Sequence, residues 1–204
     1  AVGANIYAGQ TCISTQRIYV VKSVFGVFRD LLVKEYAALK AGDPSDASVT
    51  VGPIIDKGHF ERISSWVDEA VNAGANVLAG GKPVDAARNV YAATLLTETK
   101  REMKVNCAEV FGPVAILEEV ADLGQAIMRV NDSAYGLQAG VFTDSVAHMK
   151  RAHEKLEVGG VIINNVPGFR VDSMPYGGIK DSGLGREGVK YAMEEMSEPR
   201  LMVY

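Results

Sequence analysis

No stretch of this chain is apolar for long enough to cross a bilayer, and its first residues lack the basic start and long apolar run of a secretory signal. Neither a membrane partner nor an export leader is therefore expected. Cysteine is scarce: Cys12 and Cys107 are the only two. They are too far apart for metal-ligand spacing or a disulfide framework, which suits a reducing compartment and a cytoplasmic location, with no metal. An excess of one charge is lacking as well. With 21 basic and 25 acidic residues the formal charge is −4, and the two signs are mixed along the chain, so there is no basic stripe to track a phosphate backbone and no nucleic-acid partner is expected. Internal repeats and low-complexity tracts are absent too.

What remains is 204 residues, 48% of them hydrophobic, enough to bury the core of one domain. The chain opens Ala-Val-Gly-Ala without Met and reaches its most distinctive motif almost at once, which suggests a piece of something longer. Apolar positions at Val24, Val27, Phe28, Leu31, Leu32, Tyr36 and Leu39 predict a helix over Ser23 to Lys40 whose apolar face packs on a sheet. A polar linker, 42–48, precedes a second helical pattern from Lys57 to Ala73, stopped by Gly74. Strands are predicted at Asn76 to Leu78, Val90 to Leu96 and Val114 to Leu117. Then come a helix from Asp122 to Val130, a strand over Ala139 to Phe142, a helix from Ser145 to Leu156 capped by Asp144 or Ser145, and a strand over Val161 to Ile163. The Gly- and Pro-rich stretch from Pro167 to Gly188 reads as loop, followed by a helix near Glu187 to Met196 and a strand over Leu201 to Tyr204. Helices alternating with short apolar strands give an α/β fold with a mostly parallel twisted sheet covered on both faces.

The chemistry begins at Cys12. It sits between a turn of small residues and a strand starting near Arg17, and small neighbours let backbone amides approach a reacting oxygen. A thiolate is the nucleophile of thioester chemistry, and an adjacent N–H can stabilise the oxyanion formed when it attacks a carbonyl. Taken alone, such a cysteine is more often a small buried hydrophobe.

The context changes that weighting. Gly9-Gln10-Thr11-Cys12 followed by Arg17 resembles the cysteine signature of the NAD(P)-dependent aldehyde dehydrogenase superfamily, in its C-terminal, cysteine-bearing catalytic part. Glu109-Val110-Phe111-Gly112-Pro113 resembles its cofactor-ribose motif. Tyr135-Gly136-Leu137, the pair Asn164-Asn165, and the run from Pro175-Tyr176-Gly177-Gly178 to Gly185-Arg186-Glu187-Gly188 follow in the family's order, so the resemblance spans essentially the whole chain. It implies that Cys12 attacks an aldehyde and carries a thiohemiacetal and then a thioester, and that Glu187 relays protons from behind the site. It also implies that Glu109, with Phe111 beside it, holds the nicotinamide ribose, helped by Arg62 and the adjacent His59. Arg186 would pair with Glu198, Asn164 and Asn165 would fix the loop that closes the pocket, and Cys107, His148 and His153 would play no catalytic part. The second acid that often precedes the ribose glutamate is replaced here by Ala108.

For substrate, the resemblance places Ile6, Thr11, Ile13, Phe169, Arg170 and Tyr176 around the aldehyde. It is nearest the lactaldehyde, glyceraldehyde and phosphonoacetaldehyde-like branch. A guanidinium at Arg170 favours a small polar or anionic aldehyde, since it pairs with carboxylate or phosphate geometry. The alternative is an ion pair with Asp172 that never meets substrate. Residues 1–181 would form the catalytic domain, and 182–204 a helix and strand completing it or an oligomer interface. The family's Gly-rich cofactor turn and general-base glutamate have no counterpart in this chain. The resemblance therefore implies an N-terminal cofactor domain elsewhere in the same protein, NAD or NADP bound mainly there, a homo-oligomer, and no dehydrogenase turnover from these residues alone. A CoA-acylating enzyme and a non-catalytic relative are the alternatives; Glu187 favours hydrolysis over the first, and Cys12, Glu109 and Glu187 together disfavour the second.

Overall fold

The computed structural model describes all of residues 1–204, which resolve into two compact units, Ala1–Val130 and Asn131–Tyr204. In the first, a short α1 (Val2–Asn5) leads through the cysteine turn into β1 (Arg17–Val21) and α2 (Lys22–Ala37). Then follow α3 (Lys57–Asn72), β2 (Asn76–Ala79), β3 (Pro83–Asp85), β4 (Val90–Tyr91), β5 (Thr94–Thr97), α4 (Lys104–Cys107), β6 (Val114–Val120) and α5 (Leu123–Asn131). A four-stranded sheet runs β1-β6-β5-β2, with β1 and β5 parallel to β6 and β2 antiparallel at the edge. The run Val90 to Leu96, expected as one strand, is two. Tyr91 and Val90 pair with β3, Leu95 and Leu96 pair into the main sheet, and Ala92 and Ala93 belong to neither ladder.

The core follows from the pattern. Leu95, Leu96, Ala115, Ile116 and Leu117 are fully buried on the central strands, as parallel pairing with both faces covered requires. Helix α3 buries Phe60, Ile63, Val67 and Ala70, a single helical stripe. Asp56 caps its start by accepting from the His59 N–H at 2.8 Å. Gly74, at φ +104, ends it in a Schellman pair: Ala75 N–H bonds Ala70 O at 2.9 Å and Gly74 N–H bonds Val71 O at 3.0 Å. Helix α2 departs from expectation. Leu32 and Tyr36 enter the core, but Val24, Val27, Phe28 and Leu31 of the same predicted face stand exposed.

The second unit holds β7 (Tyr135–Gly136), β8 (Gln138–Val141), α6 (Val146–Lys155), β9 (Gly160–Ile163), β10 (Ile179–Lys180) and α7 (Val189–Glu195). Strands β8 and β9 pair in parallel across α6, which Ser145 caps, and β7 pairs antiparallel with β10. Leu201 to Tyr204, expected as a strand, form none: they have no ladder partner and are at least 80% exposed. A short apolar run supplies a strand's side chains but not the edge it must bond to. No helix is long and apolar enough to cross a membrane.

Removing Ile116's side chain (Ile116→Ala) empties the centre of the sheet and is expected to cost about 2–5 kcal/mol. Val27→Ala on the exposed stripe should stay within about 0.5 kcal/mol. Urea unfolding of the two variants checks this; equal losses would mean that the α2 stripe is packed.

Candidate active site

The cysteine turn is a strained piece of backbone. Tyr7, Ala8 and Gly9 occupy the left-handed region in succession, at φ 51, 55 and 68. That conformation costs about 1–2 kcal/mol for each residue with a side chain, so the surroundings must hold it. Gln10 does so from one side: its Nε2 donates to Tyr7 O and Pro53 O, both at 3.2 Å, and its Oε1 accepts from Ile55 N–H at 2.9 Å. On the other side, Thr15 N–H bonds Gly3 O at 2.9 Å and Ser14 Oγ bonds Ala4 O at 3.2 Å. Between them Ser14 N–H closes a turn on Thr11 O at 3.0 Å, and Cys12 sits at its exposed apex. Ile6, Thr11 and Ile13 flank it, Ile6 exposed and the other two half-buried.

Gly9 joins this turn to the Glu109 segment. A Cβ on Gly9 would overlap the carbonyl of Gly112, so the two backbones meet at a contact only glycine permits. Gly112 in turn lies against Ile63 of α3. Gln16, which the sequence reading passed over, makes the second junction. Its Nε2 donates to Ala108 O at 2.7 Å and to Val105 O at 3.1 Å, while its Oε1 accepts from Val110 N–H at 2.9 Å. One side chain at the entrance to β1 thus grips the main chain on both sides of Glu109. The only signal it gave was an amide placed directly before an apolar strand.

Arg62 grips the same segment from α3, donating from Nη2 to Val110 O at 2.7 Å. Its Nη1 is buried without a hydrogen-bond partner, and its guanidinium lies 4.6 Å from the Trp66 ring. Burial lowers its pKa and the charge of Glu109 opposes that shift, so the two groups feel each other electrostatically. The Glu109 carboxylate is exposed, and Phe111, left-handed at φ 49, presents a partly exposed ring beyond it. His59, one turn before Arg62, is exposed and tied by Nδ1 to Asp56 at 2.9 Å. Hydrogen bonds from His59, backbone first, lower the Asp56 pKa.

The second unit collects the other candidates. Tyr176 and Glu187 form an antiparallel bridge through mutual backbone bonds of 3.1 and 2.6 Å. Arg170 then bonds Glu187 Oε2 at 3.0 Å and lies 4.2 Å over the buried Tyr176 ring. Its ion-pair partner is thus Glu187 and not Asp172. Phe169 is exposed beside it. Arg186 does not depend on Glu198. It donates from Nη1 to Gly185 O at 2.6 Å and Gly178 O at 3.1 Å, and Glu195 accepts its backbone N–H at 3.2 Å. Glu195 lies within α7, whereas Glu198 lies past its end. Asn164, left-handed at φ 55, accepts the Thr143 N–H at 2.8 Å and fixes the loop after β9.

This chain belongs to the aldehyde dehydrogenase family, whose profile matches residues 1–202. It is 45% identical to the 3-sulfolactaldehyde dehydrogenase of Priestia aryabhattai over 96% of this chain and 40% of the relative. The lactaldehyde dehydrogenase of Methanococcus aeolicus is 37% identical over 98% of this chain and 42% of its own length. Among solved structures, glyceraldehyde-3-phosphate dehydrogenase GapN of Methanocaldococcus jannaschii, complexed with NADP, superposes with a TM-score of 0.90 at 40% identity, over 96% of this chain and 42% of that one. The chain thus spans about 40% of the length of the relatives it matches.

Gly9→Ala places a methyl group against the Gly112 carbonyl in a left-handed position, at an expected cost of at least about 2 kcal/mol. Gly26→Ala, in α2 with open space around it, should gain about 0.5–1 kcal/mol. Chemical denaturation of the pair tests the contact, and a neutral Gly9→Ala would mean that the turn is not held there.

Proposed function

We propose that the intact protein containing this chain oxidises a small polar or anionic aldehyde to its carboxylic acid with NAD or NADP, using Cys12 as nucleophile. What supports this reading above all is one observation: the exposed Cys12 turn and the Glu109 segment are fastened together, through Gly9 against Gly112 and through Gln16. A nucleophile and a diol-binding carboxylate are thereby held on one rigid support.

The residues present fit a nicotinamide cofactor. Glu109 is exposed and can accept two hydrogen bonds from a ribose diol, and the partnerless Arg62 Nη1 is a donor with no acceptor in the chain. Phe111 offers a ring face beside them, and His59 lies one helical turn before Arg62. When bound, the cofactor supplies the acceptor for the two electrons that leave the substrate. The chain's own part begins with the Cys12 thiolate, which adds to the aldehyde carbon and forms the carbon–sulfur bond of a thiohemiacetal, while N–H groups near the turn steady the oxyanion. After oxidation Cys12 carries a thioester, which water opens to release the acid and restore the thiolate. Glu187 takes part as the carboxylate of a proton relay with the general base, which draws the proton from that water. Ile6, Thr11 and Ile13 bound the aldehyde near the sulfur, and Phe169, Arg170 and Tyr176 select it, with Arg170 reading an anionic group.

In this reading the remaining cofactor contacts and the general base come from an N-terminal domain of the same protein, which works in the cytoplasm as a homo-oligomer. Residues 1–181 form the catalytic domain, and 182–204 complete it or the subunit interface.

Two measurements test the reading. Limiting alkylation of the intact protein, followed by mass spectrometry, should modify Cys12 ahead of Cys107 and be blocked by aldehyde, and Cys12→Ser should abolish NAD(P)H production. Full turnover in Cys12→Ser would end the nucleophile assignment. Arg170→Leu should lower kcat/KM for 3-sulfolactaldehyde about ten- to hundredfold, the worth of a charge-assisted hydrogen bond, and change that for lactaldehyde far less. An equal fall for both would remove Arg170 from substrate recognition.

A further inference from the structure

We infer that Trp66 is the positioning residue that holds Arg62 in the orientation needed to meet the cofactor. The inference rests on the reading of Arg62 as a cofactor ligand. Trp66 is the only tryptophan in the chain, and it follows Arg62 by four residues on α3, so both side chains emerge from one face of the helix. The guanidinium carbon is 4.6 Å from the ring centroid, well inside the range in which an aromatic quadrupole attracts a cation, and tryptophan is the strongest such partner. A second cation, Lys104, lies 5.9 Å from the same ring, but Glu69 at 2.8 Å and the α4 backbone account for its position.

An arginine on a long flexible stem carries about 2 kcal/mol of rotamer entropy, which a ligand would have to overcome on binding. Here two contacts have removed it beforehand. The 2.7 Å bond from Nη2 to Val110 O fixes one end of the fork, and the stack on Trp66 fixes the plane. With plane and one end set, the direction of Nη1 is no longer adjustable, and that nitrogen is the one left buried with no acceptor in the chain. The accepting group is an oxygen of the cofactor. Trp66 makes no contribution of its own to the reacting atoms; it shapes affinity through Arg62.

The test uses the full-length protein with NAD+ and NADP+ as probes. Binding is read by calorimetry, KM and kcat are measured in parallel, and a thermal melt accompanies each variant. Trp66→Leu and Trp66→Met keep apolar bulk but remove the π face, and each should raise the Kd and KM for the cofactor about three- to thirtyfold, the range of a partly desolvated cation–π contact. At saturating cofactor kcat should be maintained, and Trp66→Phe should restore most of the affinity. Arg62→Met should weaken binding at least as much. If Arg62→Met weakens binding and Trp66→Leu does not, Trp66 is packing alone and the inference falls while the cofactor role of Arg62 stands. If Arg62→Met leaves binding unchanged, the reading beneath it fails and the inference with it. Losses in Trp66→Leu, →Met and →Phe that merely follow a falling melting temperature would likewise overturn it.

Discussion

The amide of Gln16 is the contact on which the geometry of the first unit turns. It faces a main chain about ninety residues away and bonds it on both sides of Glu109, through Ala108 O and Val110 N–H. A primary amide suits the position because it donates and accepts at once, matching a carbonyl and an N–H that no strand or helix in that segment satisfies. The cost of leaving those groups unpaired in a partly buried place is about 1–3 kcal/mol each, which makes the register of the two segments a matter of stability as well as shape. Arg62 adds a third bond to the same short stretch. The backbone around Glu109 is therefore determined from two independent elements, β1 and α3.

Such over-determination explains how a strained loop can persist beside it. The left-handed run Tyr7-Ala8-Gly9 has no regular hydrogen-bond ladder of its own, and the bonds of Gln10, Ser14 and Thr15 hold it against α1 and the segment around Pro53. The second unit uses a different device. There one antiparallel bridge between Tyr176 and Glu187 sets a ring and a carboxylate side by side, and Arg170 lies across both. Backbone order is strict in both places, while the groups with chemical potential, Cys12, Glu109 and Glu187, all face solvent.

Much of the fold was legible in the sequence because local signals and tertiary packing agree. Helix α3 with its Gly74 stop, the Ser145 cap of α6 and the apolar runs of β6 and β9 all stand where the pattern put them. The motifs at Cys12 and Glu109 were legible as motifs, though not the joints between them. Gly9 against Gly112 and Gln16 against Ala108 are contacts between distant segments that no periodicity encodes. The misreadings have the same root. Leu201 to Tyr204 form a short apolar run like that of a buried strand, but a strand exists only where an edge receives it, and Arg186 found carbonyls closer to hand than Glu198. In Val90 to Leu96 the apolar pattern continued through Ala92 and Ala93 while the backbone passed from one ladder to another.

Helix α2 carries one more implication. Val24, Val27, Phe28 and Leu31 lie on successive turns of its outer side, and all four are exposed. Adjacent apolar side chains of this kind form a contiguous water-facing patch rather than scattered surface hydrophobes. A surface that covered this stripe would gain about 25 cal/mol for each Å² of apolar area it took from water, so the outer side of α2 is where burial free energy is still to be gained.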